Sequence, residues 1–302
     1  AVAFAGDDAW FLVRDGGPWR IVGADPADGS PWLGPEPRNL LVLGSDARVG
    51  QNQLRYRADS IHVVTASPQH AAGAIVGFPR DSWIEGDVVL AGNEVAGLPE
   101  SELPSGGTKW TSLLASRGPE IMLGTAEEVT GLDLEGYVIT GFKGFDGLIS
   151  FLGGLVIELP TTMRTGNTWA NFPAGLQTLN PTRALQLARI RKGLPRGDFD
   201  RSLNQGRIMQ AAMAMVQDMG IESTPALVKV LLEHAWTDLD TEALFTWALA
   251  AFTMEPEALT NVVVDGTTGR VGASSVVFLN QEAVATTAAD LADDGLLNSS
   301  AG

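Results

Sequence analysis

The 302-residue chain contains no cysteine, which excludes disulfides and thiolate metal centres. Histidine is almost as scarce. His62, His70 and His234 lie far apart and match no metal-ligand spacing, so a surface or strand role is expected for each. Lysine numbers four against sixteen arginines, a skew that a high-GC genome alone would produce. No run approaches the ~18 apolar residues needed to cross a bilayer, and no charged-then-apolar leader opens the chain. It begins at Ala1-Val2-Ala3-Phe4 without an initiator Met, as a piece of a longer protein would. Positive charge is short overall: 20 basic residues face 36 acidic ones, for a net charge of -16. That balance disfavours nucleic acid as a partner, because such binding comes from lysine and arginine neutralising phosphates. No helix-turn-helix with a basic face is legible either.

Against that scarcity, ten of the basic residues crowd two short stretches. One holds Arg48, Arg55 and Arg57; the other holds Arg183, Arg189, Arg191, Lys192, Arg196, Arg201 and Arg207. Arginine offers a fixed fork of donors that matches phosphate oxygens and stays charged when partly buried. Such clustering in an acidic chain points to a local anionic ligand.

Hydrophobic content of 45% suits a globular protein with a substantial core. Residues 40–43, 61–65 and 74–78 read as buried strands, with a turn at Pro68. A helix over 119–129 ends at Gly131, and a strand near 136–140 leads into a helix over 142–151 closed by Gly153-Gly154. Residues 155–159 read as the next strand. Pro181 after Asn180 opens a helix through 188, and further helices fall near 201–219, 225–235 and 241–252. Residues 262–264 and 275–278 read as the last strands, and the small, polar tail over 283–302 is expected to fray. Strands interleaved with helices predict a layered α-β-α domain with a central mixed sheet. Residues 1–37 form an N-terminal extension expected to pack on the main domain at 38–302.

Asp46 emerges where the strand 40–43 stops at Gly44, and Asp59 precedes the strand 61–65. Strand ends are favoured ligand sites in α/β sheets. Two carboxylates there fit a shared Mg²⁺, which needs only one or two protein carboxylates beside phosphate oxygens and water. Taken alone, they fit a surface ion-pair network more readily. Arg80, in Phe78-Pro79-Arg80-Asp81, leaves the third strand at the same edge. Arg189 and Arg191 are two apart, so they share a side only if the helix beginning at Pro181 ends near Arg189. Arg201 and Gln205, four apart, share a face of the next helix. Leu203, Ile208, Met209, Met213 and Met215 on that helix read as core, or in part as the lining of an apolar tunnel. Trp83, Trp110 and Trp169 read as structural or as sugar-stacking faces.

Taken in order, these motifs resemble the LytR-CpsA-Psr family of cell-wall glycopolymer phosphotransferases. The carriers are Leu43-Gly44-Ser45-Asp46-Ala47-Arg48, Arg57-Ala58-Asp59-Ser60, Phe78-Pro79-Arg80-Asp81, Ala188-Arg189-Ile190-Arg191, and Gly197-Asp198-Phe199-Asp200-Arg201 with Gln205. The resemblance runs from about residue 39 to 210. It implies an Mg²⁺-dependent enzyme on the extracytoplasmic face of the cell membrane, held there by an anchor outside this chain. Its donor would be a polyprenyl-pyrophosphate-linked glycan (arabinogalactan or a teichoic-acid-like polymer), and its acceptor a peptidoglycan sugar hydroxyl. Asp46 and Asp59 would hold Mg²⁺ and act with Arg80, Arg189 and Arg191 in catalysis. Arg48, Arg57, Lys109, Asp198, Arg201 and Gln205 would join Arg189 and Arg191 around the pyrophosphate. Asp59 and Asp81 are both candidates for the base. Hydrolysis of the lipid pyrophosphate, and non-catalytic binding of lipid or glycan, are the alternatives.

Overall fold

The computed structural model describes residues 36–97, 106–164 and 171–297, and the backbone of three short strands before them. Those strands, β1 (Val2–Ala5), β2 (Trp10–Val13) and β3 (Arg20–Ala24), pair antiparallel in sequence order. Then come β4 (Arg38–Ser45), β5 (Ala58–Ser67), β6 (Ala72–Gly77) and β7 (Trp83–Ile84), followed by α1 (Gly86–Val95), β8 (Thr108–Lys109), α2 (Trp110–Arg117) and α3 (Pro119–Thr130). The middle of the chain forms β9 (Tyr137–Thr140), α4 (Phe142–Phe151), β10 (Leu155–Leu159), β11 (Gly175–Leu179) and α5 (Pro181–Arg189). The last third forms α6 (Asp198–Asp218), α7 (Thr224–His234), β12 (Trp236–Thr237), α8 (Thr241–Thr253), β13 (Leu259–Val263), β14 (Gly266–Val271), β15 (Ser274–Leu279) and α9 (Gln281–Asp293).

The central sheet has the order β12-β9-β4-β5-β6-β13. Strand β5 runs antiparallel to β4 and β6, and β12 antiparallel to β9, whereas β9 runs parallel to β4 and β13 parallel to β6, so the sheet is mixed. Its central strands are apolar on both faces because both are covered. Leu41, Leu43, Ile61, Val63 and Val76 pack under α1, α2, α3 and α9 around Trp110 and Met122. Leu40 packs on the opposite face among residues of α6, α7 and α8, including Val216, Leu227, Phe245 and Leu249. The alternation of Leu40 and Leu41 between two cores is the period-2 geometry of a strand. The α-β-α layering expected from the sequence is therefore the fold that forms.

Helices α1 and α3 approach closely because both carry glycine at the crossing. A Cβ on Gly124 would lie 2.0 Å from the Gly92 carbonyl oxygen. Helix α3 stops at Gly131, whose φ of 70° provides a left-handed cap.

Strands β10 and β15 form where the sequence reads them and pair outside the central sheet with β11 and β14, each in a two-stranded antiparallel sheet. In β10 buried and exposed residues alternate, so it has only one covered face. The supposedly fraying tail is largely helix α9, capped by the Asn280 side chain, which accepts from Glu282 N and Ala283 N. Val284, Thr287, Ala288 and Leu291 on that helix are buried at i, i+3, i+4 and i+7.

Candidate active site at the sheet edge

Strand β4 leaves the core at Ser45, and β5 enters beside it antiparallel, so residues 46 and 58–59 meet at one sheet edge. Gly44 pairs with Ser60 but Ser45 pairs with Ala58, which leaves Asp59 as the extra residue of a bulge. Bulges redirect a side chain and recur beside functional sites. Gly44 is needed opposite it, since a Cβ there would lie 2.8 Å from the Cβ of Ser60. Asp46 is fixed next door: its N–H donates to Arg57 O at 2.9 Å, and its Oδ1 accepts from Arg57 N at 2.9 Å. Burial and the Asp59 carboxylate raise the Asp46 pKa above the usual carboxylate value, against the lowering effects of Arg57 and Arg80.

Arg80, just beyond β6, ion-pairs with Asp59. Burial alone would lower the Arg80 pKa, but Asp59, Asp81 and Asp198 together raise it. Its Nε is buried without a hydrogen-bond partner. Asp81 then bridges two cations, taking Lys109 Nζ at 3.1 Å on one oxygen and Arg191 Nη1 at 3.5 Å on the other. Lys109 reaches this point because β8 pairs with β7, whose Trp83 stands opposite it.

The second arginine cluster arrives from the other side of the cleft. Helix α5 ends at Arg189, and Ile190 is extended with ψ of 128° and buried. This break was expected from the Arg189/Arg191 spacing, and it sends the two side chains to different partners. Arg189 lies over the Phe142 ring at 4.6 Å, while Arg191 reaches Asp81. Arg201 is buried near the start of α6 and pairs with Asp198 at 2.5 Å. Burial lowers its pKa, the Asp198 charge opposes this, and Arg80 and Arg191 add to the lowering.

Three predicted residues sit differently from the rest. The Gln205 amide nitrogen donates to Asp59 O at 3.2 Å and Ala188 O at 3.0 Å, so it ties β5 to α5 beneath the cleft. Arg57 is exposed and acts on Asp46 mainly through its backbone N–H. Arg48 lies in the exposed turn closed by Gln51, and no contact brings its guanidinium to the cluster among the described residues. Trp110 belongs to the core, edge-on to Phe78 at 5.1 Å, and Trp169 lies outside the described residues.

Below the cleft, an apolar cavity of about 120 Å³ is bounded by Phe142, Phe145, Leu185, Ile208 and Met209, with Asp59 and Arg189 also among its walls. Ile208 and Met209 thus line a cavity, whereas Met213 and Met215 pack into two separate cores. No group of three or more His, Cys, Asp or Glu able to hold a metal occurs among the described residues. A divalent ion on Asp46 and Asp59 would take its other ligands from phosphate and water, as Mg²⁺ commonly does. Two further residues shape the site without a sequence signal for their contacts. Asp81 stands in the sequence only as a candidate base, yet it bridges Lys109 and Arg191. His62 is fully buried behind the cleft, its ring nitrogens 3.0 Å from Ser60 Oγ and 3.1 Å from Ser202 O. An apolar strand flanks it, which gives no sequence signal of that bond.

A layered α/β fold with arginines and carboxylates gathered at its strand ends, over an apolar cavity, defines a class of protein with an anion site beside an apolar one. The chain belongs to the LytR_cpsA_psr family, whose model matches residues 27–293. It is 28% identical over 244 residues to the cell wall biosynthesis protein LcpA of Corynebacterium glutamicum, covering 72% of this chain and 46% of LcpA. It is also 28% identical over 178 residues to the polyisoprenyl-teichoic acid–peptidoglycan teichoic acid transferase TagU of Bacillus mycoides, covering 59% of this chain and 52% of TagU. The chain thus spans about half the length of these curated relatives. Among solved structures, the fold is shared with B. subtilis TagV (TM-score 0.67, 22% identity, 86% of this chain and 98% of TagV). TagT bound to LI-WTA superposes equally well (TM-score 0.67, 17% identity, 87% of this chain and 92% of TagT). Among the described residues, no helix is long and apolar enough to cross a membrane.

Proposed function

We propose that this chain transfers a glycopolymer from a polyprenyl-pyrophosphate carrier to a sugar hydroxyl of peptidoglycan. The single observation that carries this reading is the joining of two chemistries at one place. A cluster of cations and carboxylates stands at the rim of an apolar cavity, as an amphiphile with an anionic head requires. Membership of a family whose relatives are named for cell-wall biosynthesis and teichoic acid transfer supports it. A polyprenyl-linked donor and a peptidoglycan acceptor would meet at the extracytoplasmic face of the membrane.

The acceptor hydroxyl oxygen bonds to the phosphorus nearest the glycan, the bridging P–O bond breaks, and polyprenyl phosphate leaves with the displaced electron pair. The hydroxyl proton passes to a base. Charge accumulates on the phosphoryl oxygens and leaving oxygen, so fixed cations provide most of the rate enhancement. Arg80, Arg191, Arg201 and Lys109 supply them, and Asp81 holds two of the four in place. Arg189, at the rim, reaches the head group while its aromatic neighbour Phe142 lines the tail cavity. Mg²⁺ held by Asp46 and Asp59 would neutralise pyrophosphate charge. Burial, and after it the Asp59 charge, raise the proton affinity of Asp46, a cost that a bound cation would offset. The cavity is smaller than a polyprenyl chain, so binding parts its walls, with flexible Met209 the readiest to yield.

The test is incubation with a lipid-linked glycan donor, with and without peptidoglycan. Transfer predicts a polymer–peptidoglycan phosphodiester and polyprenyl phosphate release that depends on the acceptor. Equal release in both arms replaces transfer with hydrolysis. Magnesium chelation followed by add-back tests the metal, and unchanged turnover throughout removes it from the scheme.

A further inference from the structure

A second concavity, of about 430 Å³, shares Asp81 and Arg191 with the cleft and none of its lining residues with the apolar cavity. It continues through Arg196, Phe199 and Asp265 into a third space of about 590 Å³. The two form one trough. Its walls are the start of α6, the start of α9 and the β14–β15 hairpin, and its floor is the end of the edge strand β13.

The lining chemistry differs from that of the cleft. Asp81, Asp198, Asp200, Asp265 and Glu282 contribute five carboxylates, against the guanidinium groups of Arg191 and Arg196. Arg196 is further engaged over the Phe199 ring at 5.2 Å. Thr268, Ser275 and Thr286 add hydroxyls. Asp198 is only 8% exposed; its Oδ1 is paired with Arg201, whereas its Oδ2 has no hydrogen-bond partner. Like charge opposes a polyanion or an acidic peptide in such a trough, and a lipid tail would strand its polar walls without partners. Carboxylates that accept from neighbouring hydroxyls, by contrast, suit an uncharged polyol, since such bonds are charge-assisted.

We propose that the trough binds an uncharged run of the acceptor glycan strand and delivers one of its hydroxyls at the Asp81–Arg191 end. This rests on the transfer reading for the direction of the reaction, but the binding itself is measurable alone. A peptide adding to the edge of β13 would need no sugar hydroxyls, and it becomes an outcome of the test.

The experiment titrates chitotetraose, a neutral glycan, into the protein by heteronuclear NMR, and repeats the titration with A283W and D265A. Ala283 lies on the trough wall, and tryptophan there fills it; Asp265 is an exposed carboxylate whose removal leaves the backbone intact. The expected result is chitotetraose shifts along the trough and an affinity lowered about tenfold in D265A, the weight of one hydrogen bond to a charged acceptor. In the transfer assay both variants raise the acceptor KM and leave the donor KM unchanged. Chitotetraose binding insensitive to both variants overturns the proposal, as does binding of a stem peptide in place of the sugar, or a rise in donor KM alone. Normal transfer with an unchanged acceptor KM in A283W sinks the trough and leaves the transfer reading standing. Absence of transfer by the unsubstituted protein, with chitotetraose binding lost in A283W, does the reverse.

Discussion

Arg80 stands where three carboxylates converge, and its charge is held by Asp59, Asp81 and Asp198 together. Removing it leaves Asp46 and Asp59 facing each other with less cation between them, and takes one donor from the developing phosphoryl charge. Arg80→Ala is therefore expected to lower kcat by about 100- to 1000-fold, as loss of one preorganised donor typically does, with a much smaller change in donor Kd. Comparable losses in kcat and donor affinity would show that Arg80 only binds. Asp81 acts through others: Asp81→Asn frees both Lys109 and Arg191. In a double-mutant cycle with Lys109→Ala, the paired loss should be smaller than the sum of the two single losses, because the residues share one interaction. An additive result would uncouple them. At this scale the sequence displays residue types and order but not partners. The motif order made Asp46, Asp59, Arg80 and Arg201 legible. The bridging of Asp81 depends on β7–β8 pairing across 26 residues, and the orientation of Gln205 depends on two backbone carbonyls that no motif encodes.

Among the elements, those with an unambiguous period are the ones the sequence displays. Strands β4, β5 and β6 are apolar and bounded by turn residues, and α5 carries both its Asn180 cap and Pro181. Helix α9 is hidden because small residues such as Ala288 and Thr287 fill its buried face, so the hydrophobic contrast is weak. Strand β14, with Gly266, Thr267 and Gly269, has almost no apolar pattern and forms through its partner β15. The α1–α3 crossing gives a direct test at this scale. Gly124→Ala forces a Cβ against the Gly92 carbonyl, so the helices must separate. A loss of about 1–3 kcal/mol, usual for overpacking, is expected in urea unfolding, and an unchanged midpoint would mean the crossing yields freely. Asn280→Ala removes the α9 cap and should cost about 1 kcal/mol, read the same way.

One buried ring ties the stability of the whole molecule to proton concentration. Burial pushes His62 down from 6.5 to about 4, opposed by its bond to Ser202 and aided by Arg201. The unfolded chain therefore takes up a proton below about pH 6.5 that the folded chain refuses until about pH 4. Folding stability is unaffected by this group above pH 6.5 and falls by about 3 kcal/mol as the pH drops toward 4. Urea midpoints at pH 7 and 4.5 measure the slope, and His62→Gln should flatten it. A slope unchanged by that substitution would assign the acid sensitivity to the carboxylates instead.

The bulge at Asp59 has a consequence for how such a protein can diversify. Asp46 and Arg57 clamp the two ends of the intervening loop to each other, so the spacing between the two carboxylates is independent of how many residues the loop contains. Val49 is 77% exposed, and Gly50 has open space around it. Extra residues inserted between them leave the strand register, and with it both carboxylates, where they are. The rim of the cleft is thus a segment that can be lengthened on a fixed chassis while the paired carboxylates stay in frame.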